Sequence, residues 1–524
     1  MGIYLNPRNE NFTGTLKAPL YVDKTMMIEV INHFIDIENK YVCVSRPRRF
    51  GKTIAGNMLS AYYSRGCDSR ELFKGLKISE TEGFESKLNK YNVIKIDVNS
   101  EYQNTMRKEM MIRRLTEKIR EEMQQAFPDI VFKDDDSLAE AMLKVYDATG
   151  ETFIIIMDEY DVMVREQVDK ALFDEFLSML NGLFKSDTLR PAISLAYLTG
   201  ILPIVRDKIQ SKLNNFKEYS ILDAMDLAEF VGFTETEVRE LCLKYRLDFE
   251  ECRRWYDGYH QRGYEIYNPE SVVMAMTTGE FDVYWNRTST YEAVAERIRM
   301  DFEGTREAVI RMLAGESVDV NVTRFMNTMD SFRSCDDVFT YLIYIGYLAY
   351  DKEEKTCRIP NNEIRQEWEN AIETEPEYKV TNSIVKKSRE LLKATLANDE
   401  EAVARALDAS HIHVTSNRSY NNEDALQSAI YLAYIYALNK YTIIKEMTTG
   451  KGFADVVFIP YVPDIPALII ELKHNKSAES AIDQIRKRKY FDSLSQYSGD
   501  LLFVGISYDE KTKLHTCKIE KFEK

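Results

Sequence analysis

Short apolar runs alternate with longer stretches of helical period over the first two hundred positions. Tyr41–Ser45, Val93–Val98, Phe153–Met157 and Ile193–Leu198 are apolar and rich in β-branched residues, the pattern of strands buried on both faces. Segments such as Met106–Phe127 and Ala171–Leu183 separate them, so a parallel sheet covered by helices is expected. From about Phe216 to Asn398 the pattern turns mainly helical, with turn signals at Tyr256–Gly258 and Asn268–Pro269. A strand-like patch, Gly346–Tyr350, and the turn around Asp351–Lys355 leave room there for a winged-helix element. After Glu401 the order changes again. A helix, Asp424–Leu438, precedes the expected strands Tyr441–Glu446, Ala454–Ile459 and Ala467–Leu472, and a helix, Ala478–Ser493, leads to a last strand, Leu501–Ile506. The class expected is an α/β multidomain protein divided at residues 1–215, 216–398 and 399–524.

Length and composition narrow this picture. The chain has 524 residues, too many for one core of about 100–200 residues. No run approaches the roughly 20 apolar residues of a membrane span. The opening MGIYLNPRNENF has no basic-then-apolar leader pattern, and Asn6 stands where a myristoylation site needs a hydroxyl. A cytoplasmic protein without a membrane partner is expected. Seven cysteines, none in a CxxC pair, argue against a disulfide framework. His411 and His413 would share one face of a strand, but no third ligand lies near them in sequence, and no metal centre is assigned to them. The net charge of −16 disfavours bulk electrostatic coating of nucleic acid. From Glu401 onward, however, 16 Lys+Arg balance 16 Asp+Glu, so the whole excess lies upstream and the C-terminal part is able to present a basic face.

One strand runs into a segment with the chemistry of a phosphate site. Tyr41–Ser45 is followed by Arg46-Pro47-Arg48-Arg49-Phe50-Gly51-Lys52-Thr53, against the P-loop pattern G-x-x-x-x-G-K-[ST]. Backbone N–H groups around Arg49, Phe50 and Gly51 would cradle phosphate, Lys52 would reach the β- and γ-phosphates, and the Thr53 hydroxyl would meet Mg²⁺. Arg46 occupies the first glycine's place, which strains the chain only if a positive φ is required there. The bland alternative is a basic turn before an amphipathic helix. About a hundred residues later the strand Phe153–Met157 ends in Asp158-Glu159-Tyr160-Asp161, where a P-loop fold places a magnesium-holding Asp158 and a water-activating Glu159. A third strand ends at Thr199, a candidate γ-phosphate sensor or simply a polar strand end.

These residues resemble the AAA-ATPase-like family with the loop RPRRFGKT. The segments Tyr21–Thr25 (YVDKT), Asp158–Asp161 (DEYD) and Leu198–Gly200 (LTG) recur in it, as do Trp255–Tyr259, Tyr267–Pro269 and Ile359–Asn361. The missing first glycine follows the family pattern. The resemblance implies a P-loop NTPase sheet that binds ATP with Mg²⁺, with turnover implied less strongly, and modules of this type often self-associate.

The C-terminal part carries a second constellation. An acid, Asp455, opens one strand, and Glu471-Leu472-Lys473 closes the next. Alternation puts Glu471 and Lys473 on one strand face, and a hairpin would bring Asp455 beside Glu471. The two carboxylates and the Leu472 carbonyl would suit Mg²⁺ or Mn²⁺, and Lys473 would orient or deprotonate the attacking water. Gln484 lies on the following helix, ahead of the basic run Arg486–Lys489, and Glu423 opens the preceding one as a further candidate ligand. A surface Glu–Lys pair is the bland alternative, and it would contribute only about 0–1 kcal/mol. The set resembles the PD-(D/E)XK nuclease superfamily, whose members fused to this ATPase family carry E-x-x-x-G-x-G-R-x-D. Glu446, Gly450, Gly452 and Asp455 keep that spacing, whereas Phe453 replaces the Arg.

Together these readings lead to an expected ATPase and metal-dependent nuclease in which ATP gates phosphodiester cleavage, with DNA favoured over RNA as partner. The alternative is a nucleotide-controlled binding or signalling protein whose nuclease-like domain clamps nucleic acid without cutting it. An ATPase motor on protein substrates would need an arginine across a ring interface, and the sequence selects none.

Overall fold

The computed structural model describes residues 2–204, 215–285, 291–325, 332–375, 378–414, 430–431, 433–449, 452–461, 465–490, 497 and 499–522. They form two compact units, Met1–Arg287 with Asp319–Ile364, and Thr288–Val318 with Arg365–Lys524.

The first unit is built on a five-stranded sheet of β1 (Tyr41–Ser45), β2 (Asn92–Asp97), β3 (Phe153–Asp158), β4 (Ile193–Gly200) and β5 (Lys217–Tyr219). Every pairing is parallel and the order is β2-β3-β4-β1-β5. All residues of β1, β3 and β4 are buried, which explains why they read as unbroken apolar runs. Helices Met111–Ala126, Leu138–Thr149 and Lys170–Phe184 bury apolar stripes in one core with these strands. The Asp169 side chain caps the last of them at the amides of Ala171 and Leu172. The order leaves β4 between the loop strand β1 and the acidic strand β3, so the carboxyl ends Ser45, Gly200 and Asp158 lie side by side. Open α/β sheets bind ligands at such ends.

β5 departs from the expectation of four sheet strands followed by helices, because three residues, two half-covered and one buried, are too few to show a period. Beyond it come β6 (Phe233–Thr234), helices Glu235–Tyr245 and Phe249–Tyr256, and the hairpin β7 (Tyr259–Gln261) and β8 (Tyr264–Tyr267), with β8 in the middle of the three strands. The hairpin turns on Arg262 and Gly263, both at positive φ, as a two-residue turn demands. The patch Gly346–Tyr350, read as a wing, leads into a second antiparallel pair, Ala349–Asp351 with Thr356–Arg358.

The second unit holds a mixed five-stranded sheet in sequence order, Tyr441–Thr449, Gly452–Pro460, Ala467–His474, Leu501–Asp509 and Leu514–Phe522. Only the third and fourth strands are parallel, and helix Ala478–Arg488 makes the crossover between them. Leu468, Ile470 and Leu472 face a core shared with Leu391, Val403 and Leu407 of the helices Lys379–Leu396 and Glu400–Val414. Ala467 and Ile469 face Ile482 and Ile485 of the crossover helix. The last strand was not foreseen. Its exposed and half-exposed positions, Leu514, Thr516, Lys518, Glu520 and Lys521 among them, hide it in a polar stretch at the sheet edge. His411 and His413 lie in the last turn of helix Glu400–Val414 and not in a strand. Residues 424–429 and 432 of the expected helix Asp424–Leu438, and Glu423 before it, lie outside the described residues.

Candidate functional site

The phosphate loop closes between β1 and helix Lys52–Tyr63, which buries Ala55, Met58 and Leu59 and begins at Gly51. The loop's left-handed residues are Arg49 (φ 70°) and Gly51 (φ 86°), so Arg46 keeps an ordinary backbone and needs no glycine. The Arg46 side chain is buried, and its Nη1 donates to the carbonyls of Ser45 and Tyr219 at 2.9 Å each. It therefore ties the loop strand to β5, while burial pulls the guanidinium down to about 10. The Phe50 ring is buried edge-on to Tyr259, with centroids 5.3 Å apart. Arg49 pairs with Glu270 at 3.2 Å. A Cβ on Gly346 would stand 2.8 Å from Pro47 Cβ. Segments two and three hundred residues downstream thus buttress the loop.

Lys52 is buried, and its Nζ donates to the Pro47 carbonyl at 2.8 Å. Burial lowers its pKa, and the charges of Glu159, Asp158 and Asp161 raise it. Asp158 is buried at the end of β3, with its carboxyl pushed up to about 6 by desolvation and drawn back by a hydrogen bond with Thr53. Thr199 is its register partner on β4, and the Thr199 hydroxyl is buried with no hydrogen-bond partner. Glu159 sits at φ 53° and its N–H donates to Asp158 Oδ1 at 2.9 Å. One end of the sheet therefore gathers Lys52, Thr53, Asp158, Glu159 and Thr199. The orphan hydroxyl and the buried lysine facing three acids suit a phosphate ligand with a divalent ion.

Arg165, which the sequence did not single out, stands in this group. It ends the short helix Val162–Arg165 and pairs with Glu159 Oε2 and, at 3.1 Å, with Asp161 Oδ2. Asp161 also accepts from the amides of Ile201 (3.1 Å) and Leu202 (2.8 Å). The last acid of the DEYD segment thus fastens the turn after β4. Its signal was the i, i+4 spacing from Asp161 to Arg165. In the YVDKT segment, Lys24 pairs with Glu237 at 2.6 Å and Asp23 accepts from Thr25 N at 2.9 Å, so both serve as struts.

In the second unit the register Val456↔Ile470 extends by one step to set Asp455 opposite Glu471. By the same alternation Glu471 lies on the strand face of Ile469, towards the crossover helix. Glu471 and Lys473 are buried. Lys473 Nζ donates to Glu471 Oε1 at 2.8 Å and to the Leu472 carbonyl at 3.0 Å, and Asp455 Oδ2 accepts from Leu472 N at 2.7 Å. Gln484 Nε2 donates to Glu471 Oε1 and, at 3.1 Å, to the Tyr490 hydroxyl. Burial first, then the Asp455 charge, push the Glu471 carboxyl up to about 7. Its Oε2 is buried without a partner.

A cation, the Lys473 ammonium, already stands where Glu471 Oε1 and the Leu472 carbonyl converge. Two acids, a carbonyl and a bare carboxylate oxygen suit a hard divalent ion completed by water. Among the described residues no three His, Cys, Asp or Glu gather into a metal-binding group, and Glu423 lies outside them. The buried Tyr490 was missed, since a single tyrosine at a helix end has no periodic signature. Of the basic run, Arg486 pairs with Glu520, and Arg488 Nη1 lies 3.4 Å from the Tyr490 hydroxyl.

Comparison with known proteins gives a family for part of each half of the chain. Residues 13–210 match the family described as predicted AAA-ATPase, and residues 421–517 match the PD-(D/E)XK nuclease superfamily. An uncharacterized protein in the vnfD 5′ region of Azotobacter chroococcum mcd 1 is 22% identical over 524 residues, covering 94% of this chain and 93% of that protein. The structure of C. elegans PCH-2 matches 44% of this chain at 12% identity with a TM-score of 0.19, and the match spans 48% of that chain, about half its length. Among the described residues no helix is long and apolar enough to cross a membrane.

Proposed function

We propose, for a chain that joins an AAA-ATPase-like domain to a PD-(D/E)XK nuclease superfamily domain, that ATP binding with Mg²⁺ in the first gates divalent-metal-dependent cleavage of nucleic acid by the second. In the first domain Lys52 leaves the Pro47 carbonyl for the β- and γ-phosphates. Thr53 and Asp158 hold the magnesium, Glu159 orients water, and the Thr199 hydroxyl reports the γ-phosphate. In the second, Asp455, Glu471 and the Leu472 carbonyl would hold the ion, and Lys473 beside them would orient the attacking water. Gln484 and Tyr490 keep the Glu471 carboxylate aimed. The bound metal supplies charge stabilisation on the phosphate and a more acidic water. The substrate is DNA in preference to RNA, met in the cytoplasm.

The observation that carries this reading is the buried Glu471, joined to Lys473 and facing Asp455, with one oxygen left bare. A pair kept only for surface solubility would be exposed. The test is cleavage of single- and double-stranded DNA and RNA with Mg²⁺ or Mn²⁺, with and without ATP. Wild type is compared with Glu471→Ala and Lys52→Ala. Metal-dependent cutting should vanish in the first variant and lose its ATP response in the second. Equal, uncut substrate with wild type and Glu471→Ala, alongside retained binding, would make the domain a clamp.

A further inference from the structure

The ATP-site reading assigns no task to Arg165, although its side chain is 10% exposed inside the acidic cluster. The guanidinium spans two carboxylates of the turn after β3, Glu159 and Asp161, the second of which is also bonded to the amides of Ile201 and Leu202. Glu159 is held at φ 53°, a conformation a non-glycine residue keeps only when its surroundings impose it. On the other side of Glu159 is Asp158, bonded to Thr53, and the Lys52 ammonium lies close enough to register the Arg165 charge. Lys52 and Arg165 are therefore two cations that share the acids Glu159 and Asp161 at the candidate phosphate end of the sheet. A forked guanidinium matches two phosphate oxygens bidentately as readily as it matches a carboxylate.

We propose that Arg165 is a γ-phosphate-binding arginine supplied within the same chain. Without nucleotide it holds Glu159. When a triphosphate enters, the guanidinium turns to the γ-phosphate oxygens while Asp161 anchors its Nε, and the Glu159 carboxylate is released to orient water. A diphosphate leaves the Arg165–Glu159 pair closed. The inference rests on the ATP reading of this site and adds the residue that tells ATP from ADP, with no second subunit required.

The experiment measures, on the full chain, equilibrium binding of fluorescent ATP and ADP analogues and steady-state hydrolysis, for wild type, Arg165→Ala, Arg165→Lys and Lys52→Ala. Arg165→Ala should lower the preference for ATP over ADP by about ten-fold or more, as expected for a lost charged hydrogen bond. Its ADP affinity should stay near wild type, and hydrolysis should drop by at least about a hundred-fold. An unchanged preference, or an equal loss of ADP binding, overturns the proposal and leaves Arg165 a structural brace. Should Arg165→Ala fail to fold, Arg165→Lys decides. It keeps the charge beside Asp161 without the fork, and hydrolysis at the wild-type rate refutes the assignment. A wild-type chain that binds neither nucleotide removes the ATP reading itself. Binding that Lys52→Ala abolishes but Arg165→Ala leaves unaltered removes only the arginine.

Discussion

Replacing Glu471 by Gln in metal-free buffer tests the electrostatics of the second site. The carboxyl is raised from 4.5 to about 7, so between those values the native state keeps a proton that the unfolded chain has released. Native stability therefore falls as pH rises through that window and stays lower above it. At about 1.4 kcal/mol per pKa unit the whole effect is about 3 kcal/mol. The Gln amide oxygen still accepts from Lys473 but does not titrate. In EDTA the wild-type chain should lose about 3 kcal/mol relative to Glu471→Gln between pH 4.5 and pH 8, read by thermal or urea unfolding of the transition that includes this unit. Mg²⁺ at pH 8 should then stabilise wild type by binding only the folded state and leave the variant unmoved. Parallel pH profiles for the two proteins, or equal stabilisation of both by Mg²⁺, would refute the reasoning and return Glu471 to the role of an ordinary buried acid.

The Asp158 carboxyl, pushed up to about 6 mainly by burial, should cost Mg²⁺–ATP affinity as pH falls below that value, and Asp158→Asn should flatten the dependence in a titration calorimeter. At the loop, Arg49 adopts φ 70°, so Arg49→Gly should be more stable than Arg49→Ala by about 1 kcal/mol. Both variants lose the same half-exposed pair with Glu270, and urea unfolding would show the difference. Gly258 has φ 117°, and a Cβ there would meet the Pro360 carbonyl at 2.5 Å. Gly258→Ala is expected to cost about 2–4 kcal/mol and lower the melting temperature. Gly505 packs on the Ala478 carbonyl, so Gly505→Ala should lift the helix that carries Gln484. It should reduce cleavage together with stability, by about 1–3 kcal/mol.

The sheet strands were legible because burial on both faces leaves continuous apolar runs, as in Phe153–Asp158 and Ala467–His474. Lys217–Tyr219 and Leu514–Phe522 were not. One is too short for a period, and the other alternates charged residues along an edge. The candidate residues Lys52, Asp158, Asp455, Glu471 and Lys473 were legible in the sequence because each is a charge at the start of a helix or in an otherwise apolar strand. Their supports were not. Pro47 against Gly346, Phe50 against Tyr259 and Arg49 against Glu270 join positions far apart in the chain, and no local pattern encodes such pairings. Arg46 reversed its expected meaning for the same reason. In sequence it stands in a glycine's place, and in space it is a strut to Tyr219.

Both sites solve one electrostatic problem in one way. A buried carboxylate without a partner is costly, by several kcal/mol for an ion after relaxation, yet a ligand site must keep carboxylates buried and ready. Here the chain supplies its own cation. Lys473 lies across Glu471 and the Leu472 carbonyl, and Arg165 lies across Glu159 and Asp161. Each holds the acids in place while no ligand is bound. Under the proposed function, a divalent ion at Glu471 or a phosphate at Arg165 would take over one partner of each pair. In the proposed mechanism the displaced groups, Lys473 in one site and Glu159 in the other, would then be available to orient a water. A neutral residue in place of either cation should therefore weaken the fold as well as the chemistry, and added ligand should rescue stability without restoring turnover.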